Sequence, residues 1–125
     1  MSNIYDKMLE VMQKRGRCQY LLENGKGQVC LLGAKDVVMG YDMKDPDQES
    51  LWEVDEIPEL VEVIKQLSPG HDSFAGAYPD DSERVYRFND RAETDEEVFD
   101  ALRAASALFE IRHASEIKIE ELADA

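Results

Sequence analysis

The hydrophobic pattern in the first third of the chain predicts two helices. In the first, apolar side chains recur three or four residues apart after Ser2, a residue type that caps helices, and Gly16 ends the run. The second begins at Leu31 and keeps the same period up to Gly40. Gly33 lies inside this second helix at a cost in helix propensity, which indicates close packing against a neighbouring backbone.

Two further helices are predicted in the rest of the chain. Pro58 fits the first turn of a helix that runs to Leu67 with one apolar face. Thr94 and Glu97 form a capping-box pattern, which fixes the start of the last major helix. Between these two helices, residues 85–88 are a short apolar segment that predicts one or two helical turns.

The segments between the helices carry strand and turn signals. Residues 18–22 and 28–31 are short apolar runs on either side of Asn24-Gly25, which is the strongest short-range signal of a β-hairpin. Residues 71–82 have turn chemistry without periodicity, which predicts a long loop. The predicted fold class is therefore mainly α (α+β), with about four helices and one small two-stranded β-hairpin.

Length and composition favour one domain. The chain has 125 residues, of which 43% are hydrophobic and 34% charged, so it can bury a single core. We expect a compact domain over residues 1–112, followed by an acidic tail or helix extension over residues 113–125. No stretch has the roughly 20 consecutive apolar residues of a membrane helix, and the N-terminus lacks the apolar stretch of a signal peptide. The sequence predicts a cytoplasmic protein without a membrane partner.

The net charge of −14 is unevenly distributed along the chain. Residues 1–40 have a net charge of +2, whereas residues 41–70 contain nine acidic and two basic side chains. A negative field of this strength repels nucleic-acid phosphates, so direct nucleic-acid binding is not expected. The same field attracts a basic protein and speeds its association, although an acidic surface also keeps small proteins in solution.

The acidic stretch over residues 42–62 is the first candidate site. Trp52 lies within it and would be an apolar anchor if exposed; the alternative is that Trp52 belongs to the core. We expect a non-enzymatic interaction or regulatory protein that docks a basic surface of a host protein, and it could act as a nucleic-acid mimic. The partner-binding residues would be Trp52, Glu49, Glu53, Asp55, Glu56 and Glu59.

A pocket near the predicted hairpin is the alternative candidate. Asn89 and Asp90 precede the last helix, where they would hold a loop by hydrogen bonds to its backbone or present a carboxylate for acid–base chemistry. A small enzyme or ligand-binding domain would then have its pocket between the hairpin and this segment. The pocket residues would be Cys18, Cys30, Asn89 and Asp90.

The two cysteines, Cys18 and Cys30, are expected to be free thiols because the chain shows no secretory leader. With His71 and His113 they would give the ligand number of a zinc site, but the close Cys-x2–4-Cys spacing of such sites is missing. Buried cysteines that pack as small apolar groups are the preferred interpretation. No metal, cofactor or catalytic residue is predicted.

Three short motifs follow one another along the chain: Gly16-Arg17-Cys18, Cys30-Leu31-Leu32-Gly33-Ala34 and Phe88-Asn89-Asp90. In order and spacing they resemble an uncharacterised family, a domain of unknown function found in actinobacteria and their phages. The resemblance covers about residues 4–108, and Arg17 and Phe88 stand where that family tends to have tryptophan. It implies no activity, and it points to a phage or mobile-element origin.

Overall fold

A computed structural model of the chain describes residues 2–45, 47–67 and 80–123, and most of them are helical. The mainly α class is confirmed, but the described residues form five α-helices and one 3₁₀ helix where about four helices were predicted. Most of the predicted 71–82 loop lies outside the described residues. In chain order the elements are α1 Ile4–Arg15, α2 Leu31–Met39, the 3₁₀ helix Glu49–Trp52, α3 Pro58–Leu67, α4 Asp81–Arg91 and α5 Asp95–Ala123.

Helix α1 is capped by Asn3 and not by Ser2, the predicted cap. The Oδ1 atom of Asn3 accepts hydrogen bonds from the backbone N–H groups of Tyr5 (2.9 Å) and Asp6 (3.0 Å). The carboxylate of Asp6 accepts one from the N–H of Asn3 (3.4 Å), which completes a capping box. The Nδ2 of Asn3 also donates to the Oγ of Ser106 in α5 (2.9 Å), so the same residue ties the two helices together.

The core lies where α1, α2, α3 and α5 meet, and α4 packs on α2 and α3. Tyr5 shows how polar atoms are satisfied inside it. The Tyr5 hydroxyl accepts from the N–H of Glu59 (3.0 Å) and donates to the Glu59 carboxylate (2.9 Å). Burial raises the pKa of Tyr5, so this hydroxyl keeps its proton.

In the described part of the chain, none of the helices combines the length and the apolarity of a bilayer crossing.

Helix α4 is the element that the sequence pattern under-predicts. Only three of its eleven residues are apolar, and one of its two fully buried positions, Asn89, is polar. Its start is fixed by Asp80, whose Oδ1 accepts from the N–H of Glu83 (2.8 Å). The apolar pattern therefore shows only a short segment where a helix of three turns is present.

The predicted β-hairpin is wrong, although its turn exists. The Oδ1 of Asn24 accepts hydrogen bonds from the backbone N–H groups of Lys26 and Gln28 (3.0 Å each), and these bonds close the turn. The residues before the turn do not continue as a strand because Tyr20 has a φ of 69°. It is the one non-glycine residue with a positive φ in the described ranges. A left-handed residue breaks the alternation that strand pairing requires.

The 16–30 loop, as residues 16–30 are called below, is instead held together by Val29. Val29 makes an isolated antiparallel bridge to Glu23 and an isolated parallel bridge to Arg17. The N–H of Cys18 donates to the carbonyl of Val29 (3.1 Å). The segments that carry Cys18 and Cys30 are therefore neighbours, and the contacts of Val29, not a β-hairpin, hold them together.

Candidate binding site

A cavity of about 420 Å³ opens between the 16–30 loop, the 3₁₀ helix and α4. Its volume lies in the range of pockets that hold small ligands. Of the predicted pocket residues, Cys30 and Asp90 line this cavity, whereas Cys18 and Asn89 are buried and do not line it. The cavity is also lined by Trp52, which was predicted as part of a different candidate site.

Aromatic side chains form the main wall of the cavity. Trp52 and Tyr86 are an edge-to-face pair, with ring centroids 5.9 Å apart and an interplanar angle of 83°. Trp52 is 48% exposed, so the interpretation that places it in the core is wrong. Tyr20 and Leu21 of the 16–30 loop are more exposed still. Three of the six large apolar side chains exposed in the described chain thus line one cavity, which is typical of an interaction site.

Carboxylates supply the charge of the cavity. Asp80, Glu83 and Asp90 line it, and no basic side chain is among its described lining residues. Glu83 is paired with Arg87 (3.2 Å), so part of this negative charge is compensated from outside the cavity. Aromatic faces together with carboxylates are the chemistry that proteins use to bind organic cations.

A buried lysine positions the 3₁₀ helix that carries Trp52. Lys35 of α2 is fully buried, and its Nζ donates to the backbone carbonyls of Ser50 (2.8 Å), Leu51 (3.3 Å) and Glu53 (2.5 Å). These carbonyls belong to the residues on either side of Trp52. The ammonium group therefore fixes the backbone from which Trp52 projects into the cavity.

Asp36, the residue next to Lys35, has a raised pKa. Asp36 is fully buried, and its Oδ1 lies 3.1 Å from the Nζ of Lys35. Neither carboxylate oxygen of Asp36 makes a well-oriented hydrogen bond. Burial raises the pKa of Asp36 to about 6, an effect that the ammonium of Lys35 opposes and the nearby carboxylate of Glu56 strengthens.

Replacement of Asp36 by asparagine is expected to change how the free energy of unfolding depends on pH. The pKa of Asp36 is about 6 in the folded protein against an ordinary value of 3.8, so the folded state binds a proton that the unfolded chain releases. This stabilisation is complete below the ordinary pKa and is lost as the pH rises through about 6. From about pH 5 to about pH 8, wild type should lose about 1.4 kcal/mol relative to Asp36→Asn. Urea unfolding at several pH values measures the difference, and parallel pH profiles would contradict it.

Asn89 and Asp90 of α4 hold the 16–30 loop in place. Asn89 is fully buried; its Nδ2 donates to the carbonyl of Cys18 (2.9 Å), and its Oδ1 accepts from the N–H of Leu31 (3.2 Å). The Oδ1 of Asp90 accepts from the N–H of Tyr20 (2.9 Å), which stabilises the left-handed conformation of that residue. Both residues thus bind loop backbone through their side chains, as one of the two sequence interpretations states.

Arg17 joins the end of α4 to the start of α5. Its guanidinium group donates to the carbonyls of Asn89 and Ala92 (3.1 Å for the latter) and, through Nε, to the carboxylate of Asp95 (2.8 Å). A cation at the carbonyl end of a helix is favourable for the helix dipole. Together with the bonds of Asn89, these contacts bring the three sequence motifs into one junction beside the cavity.

Comparison with known protein families supports the resemblance that these motifs carry. A model described as a family of unknown function, DUF6197, matches residues 1–108. The chain belongs to DUF6197. The predicted membership of an uncharacterised family is confirmed, and the matched region ends inside α5. Comparison with curated proteins and with solved structures gives no match.

The cysteines of this DUF6197 protein are both buried free thiols. Cys30 is the N-cap of α2, where its Sγ accepts a weak hydrogen bond from the N–H of Gly33 (3.4 Å). Burial raises the pKa of Cys30 to about 12 and also raises the pKa of Cys18 above its ordinary value. Since the thiolate is the reactive form, these environments do not favour a cysteine nucleophile.

The histidines of the zinc interpretation are not gathered around the cysteines in the part that the structure describes. His113 stacks on Phe109 within α5, with ring centroids 4.6 Å apart. His71 lies outside the described residues. Across residues 2–45, 47–67 and 80–123, no three Cys, His, Asp or Glu side chains come together in an arrangement that could hold a metal ion.

The predicted partner-binding residues fall into accessible and inaccessible groups in this DUF6197 fold. Glu53 and Asp55 are exposed close to Trp52 in the chain. The side chain of Glu49 is not among those that the structure describes. The accessible part of the predicted surface therefore consists of Trp52, Glu53 and Asp55.

Two other acidic residues of the predicted surface turn inward. Glu56 is half-buried; its Oε1 accepts from the hydroxyl of Tyr41 (2.9 Å), and its Oε2 is buried without a hydrogen bond. Glu59 is buried against Tyr5, as described above, so its assignment to the partner-binding surface is wrong. A glutamate in the first turn of an amphipathic helix is expected to face solvent. The carboxylate of Glu59 instead accepts the hydrogen bond of the buried Tyr5 hydroxyl.

Proposed function

We propose that this DUF6197 protein is a non-enzymatic interaction protein that binds a basic surface of another protein through the side of the molecule that carries Trp52. The observation that supports the proposal is a half-exposed tryptophan on the wall of a cavity that contains three carboxylates and no described basic side chain. The phage or mobile-element origin implied by the resemblance is part of the proposal, and the partner would then be a host protein.

Charge and apolar contact have separate roles in the proposed binding. The net charge of −14 attracts a basic protein over a distance of about a Debye length and raises the association rate. Trp52 provides the contact that slows dissociation, because exposed aromatic residues are frequent hot spots of interfaces. Glu53 and Asp55 are exposed beside it and supply the charges nearest to this anchor along the chain.

A second candidate function is the binding of a small ligand in the same cavity. Its volume of about 420 Å³ and its lining by Cys30 and Asp90 favour this candidate. The high pKa of Cys30 argues for binding without cysteine-dependent chemistry. Because carboxylates line the cavity, the small ligand would be an organic cation.

Co-purification of the tagged protein from the lysate of its host cell tests the docking proposal. We expect a protein partner that is retained at about 50 mM salt and released at about 500 mM, because exposed charges are screened at high ionic strength. The double variant Glu53→Gln/Asp55→Asn should bind the purified partner about tenfold more weakly.

The matched control is Glu96→Gln/Asp100→Asn on α5, which removes the same number of exposed charges outside the cavity and outside residues 42–62. It should retain the partner as wild type does. If all three proteins capture the same proteins, or if capture is unchanged at high salt, the docking proposal is wrong.

A further inference from the structure

We infer that the cavity between Trp52, Tyr86 and the 16–30 loop binds the guanidinium group of an arginine side chain. This inference rests on the proposed function and deepens it, since it names the group of the basic partner that enters the protein. It is carried by the shape, the aromatic wall and the charge of the cavity taken together.

The aromatic wall suits a flat cation. A guanidinium group stacks on the face of tryptophan or tyrosine, and it is less strongly hydrated than an ammonium, so it loses less on entering an apolar cavity. Trp52 and Tyr86 meet edge to face, which leaves ring surface of Trp52 accessible at 48% exposure. Tyr20 and Leu21 add exposed apolar surface at the mouth, where the carbon chain of an arginine or a neighbouring apolar residue would lie.

The carboxylates provide the counter-charge. Asp80 and Asp90 are contributed from the two ends of α4 and Glu83 from its first turn, so acidic groups line the cavity along the length of the helix. Because Glu83 is paired with Arg87, Asp80 and Asp90 are the carboxylates assigned to the ligand. The two residues are ten positions apart, which is roughly 15 Å along a helix axis, so one guanidinium pairs with one of these carboxylates while the other adds to the negative field of the cavity. The planar fork of arginine matches a single carboxylate bidentately, which a lysine ammonium does less well.

The volume of about 420 Å³ accommodates an arginine together with part of the adjoining peptide. The occupant is therefore an arginine presented on a protein segment, and the free amino-acid derivative is a minimal probe of the same chemistry. A partner that presents a basic segment of this kind is the type of protein that the negative surface attracts.

Trp52 is the single tryptophan of the chain, so tryptophan emission, excited where the five tyrosines absorb little, reports on the cavity. Titration with N-acetylarginine amide is expected to change the emission of Trp52 in a saturable way. Nα-acetylcitrulline amide has the same shape without the charge and should bind at least about tenfold more weakly. Nα-acetyllysine amide, which keeps its ammonium group, should bind several-fold more weakly. An equal response to the citrulline and arginine probes would overturn the inference.

The double variant Asp80→Asn/Asp90→Asn should lower the affinity for the arginine probe at least about tenfold, because both counter-charges are removed. Asparagine keeps the helix cap at position 80 and an acceptor for the Tyr20 amide at position 90, so the fold should be kept, and circular dichroism checks this. Glu96→Gln/Asp100→Asn, which changes the net charge equally, should leave the affinity unchanged. Unchanged affinity in the cavity variant would overturn the inference, and the citrulline comparison on wild type decides if that variant does not fold.

The two proposals can fail separately. If the purified basic partner loses affinity for Glu53→Gln/Asp55→Asn but binds Asp80→Asn/Asp90→Asn as well as wild type, the arginine site is wrong and the docking surface stands. If both variants bind the partner as wild type does while the arginine probe still binds the cavity, the docking surface is wrong and the guanidinium site stands.

Discussion

Replacement of Gly33 by alanine is expected to destabilise the protein by about 3 kcal/mol or more, because the added methyl group has no space. A Cβ at this position would lie 2.0 Å from the backbone oxygen of Leu22 and 3.2 Å from the Cβ of Val29. The Leu22 oxygen already accepts a hydrogen bond from the N–H of Cys30 (3.2 Å), so the 16–30 loop would have to move away from α2. In an uncrowded helix the same change would stabilise by about 0.5–1 kcal/mol. Urea unfolding followed by circular dichroism measures the effect.

Gly25→Ala is the matched control for this substitution. Gly25 lies in the turn of the same loop, and an added Cβ would have nothing within 4 Å. We expect its free energy of unfolding to change by no more than about 0.5 kcal/mol. Equal stability of Gly33→Ala and Gly25→Ala would show that α2 and the 16–30 loop are not in the close contact described here.

Replacement of Lys35 by methionine is expected to cost about 3–5 kcal/mol, since it removes one partner of a buried ion pair. Methionine fills a similar volume but leaves three backbone carbonyls without their shared donor, and Asp36 must then either keep a buried charge without a counter-charge or take up a proton. The same variant should alter the fluorescence of Trp52, because the turn that carries this residue loses its attachment to α2. Unfolding followed by both fluorescence and circular dichroism separates the global effect from the local one.

The double variant Lys35→Met/Asp36→Asn tests the reason for this loss. It removes the uncompensated charge along with the lysine, so it should be more stable than Lys35→Met alone by about 1 kcal/mol or more. The fluorescence change should remain, because the carbonyls of the 3₁₀ helix still lack their donor. If the double variant is no more stable than the single one, the buried charge is not what makes Lys35 important.

The helices that the sequence predicts are those with a strong apolar face or a strong terminal signal. α3 shows the expected apolar face, and α2 lies where the period predicts a helix, although its residues 31–36 are all buried. The capping box at Thr94 and Glu97 is present, with the N–H of Glu97 donating to the Oγ1 of Thr94 (3.3 Å). The packing of Gly33 against a neighbouring backbone was also predictable, since a glycine inside a helix needs such a reason. These features depend on neighbours along the chain or on a single periodic face.

The features that were not predictable depend on contacts between distant residues. The N–H of Tyr20 bonds to the side chain of Asp90, seventy positions away, and that contact replaces the strand that the Asn-Gly turn predicts. Helix α4 is anchored by the polar Asn89, which an apolar pattern does not reveal. A lysine in a helix is expected to lie at the surface, yet Lys35 is buried under the 3₁₀ helix.

The candidate site was found only in fragments for the same reason. Trp52 and Asp90 were each assigned to a candidate, but to two separate ones, because thirty-seven residues lie between them in the sequence and the cavity that they share is formed only in the tertiary structure. Tyr20, Tyr86 and Asp80 were not assigned at all. These three residues line one cavity only because of the tertiary structure, and no local pattern in the sequence predicts that they do.

Helix α4 is attached at its C-terminal end by hydrogen bonds that involve Arg17, Asn89 and Asp90, and Val85 is its one fully buried apolar residue, with Tyr86 and Phe88 partly buried against the core. An element with a single fully buried apolar side chain can separate from the core at a lower free energy than the one that unfolds the whole protein. Since α4 is also the acidic wall of the cavity, the width of the cavity can adjust while the four-helix core stays intact. Recognition at this site would then be adaptable in size but constant in charge.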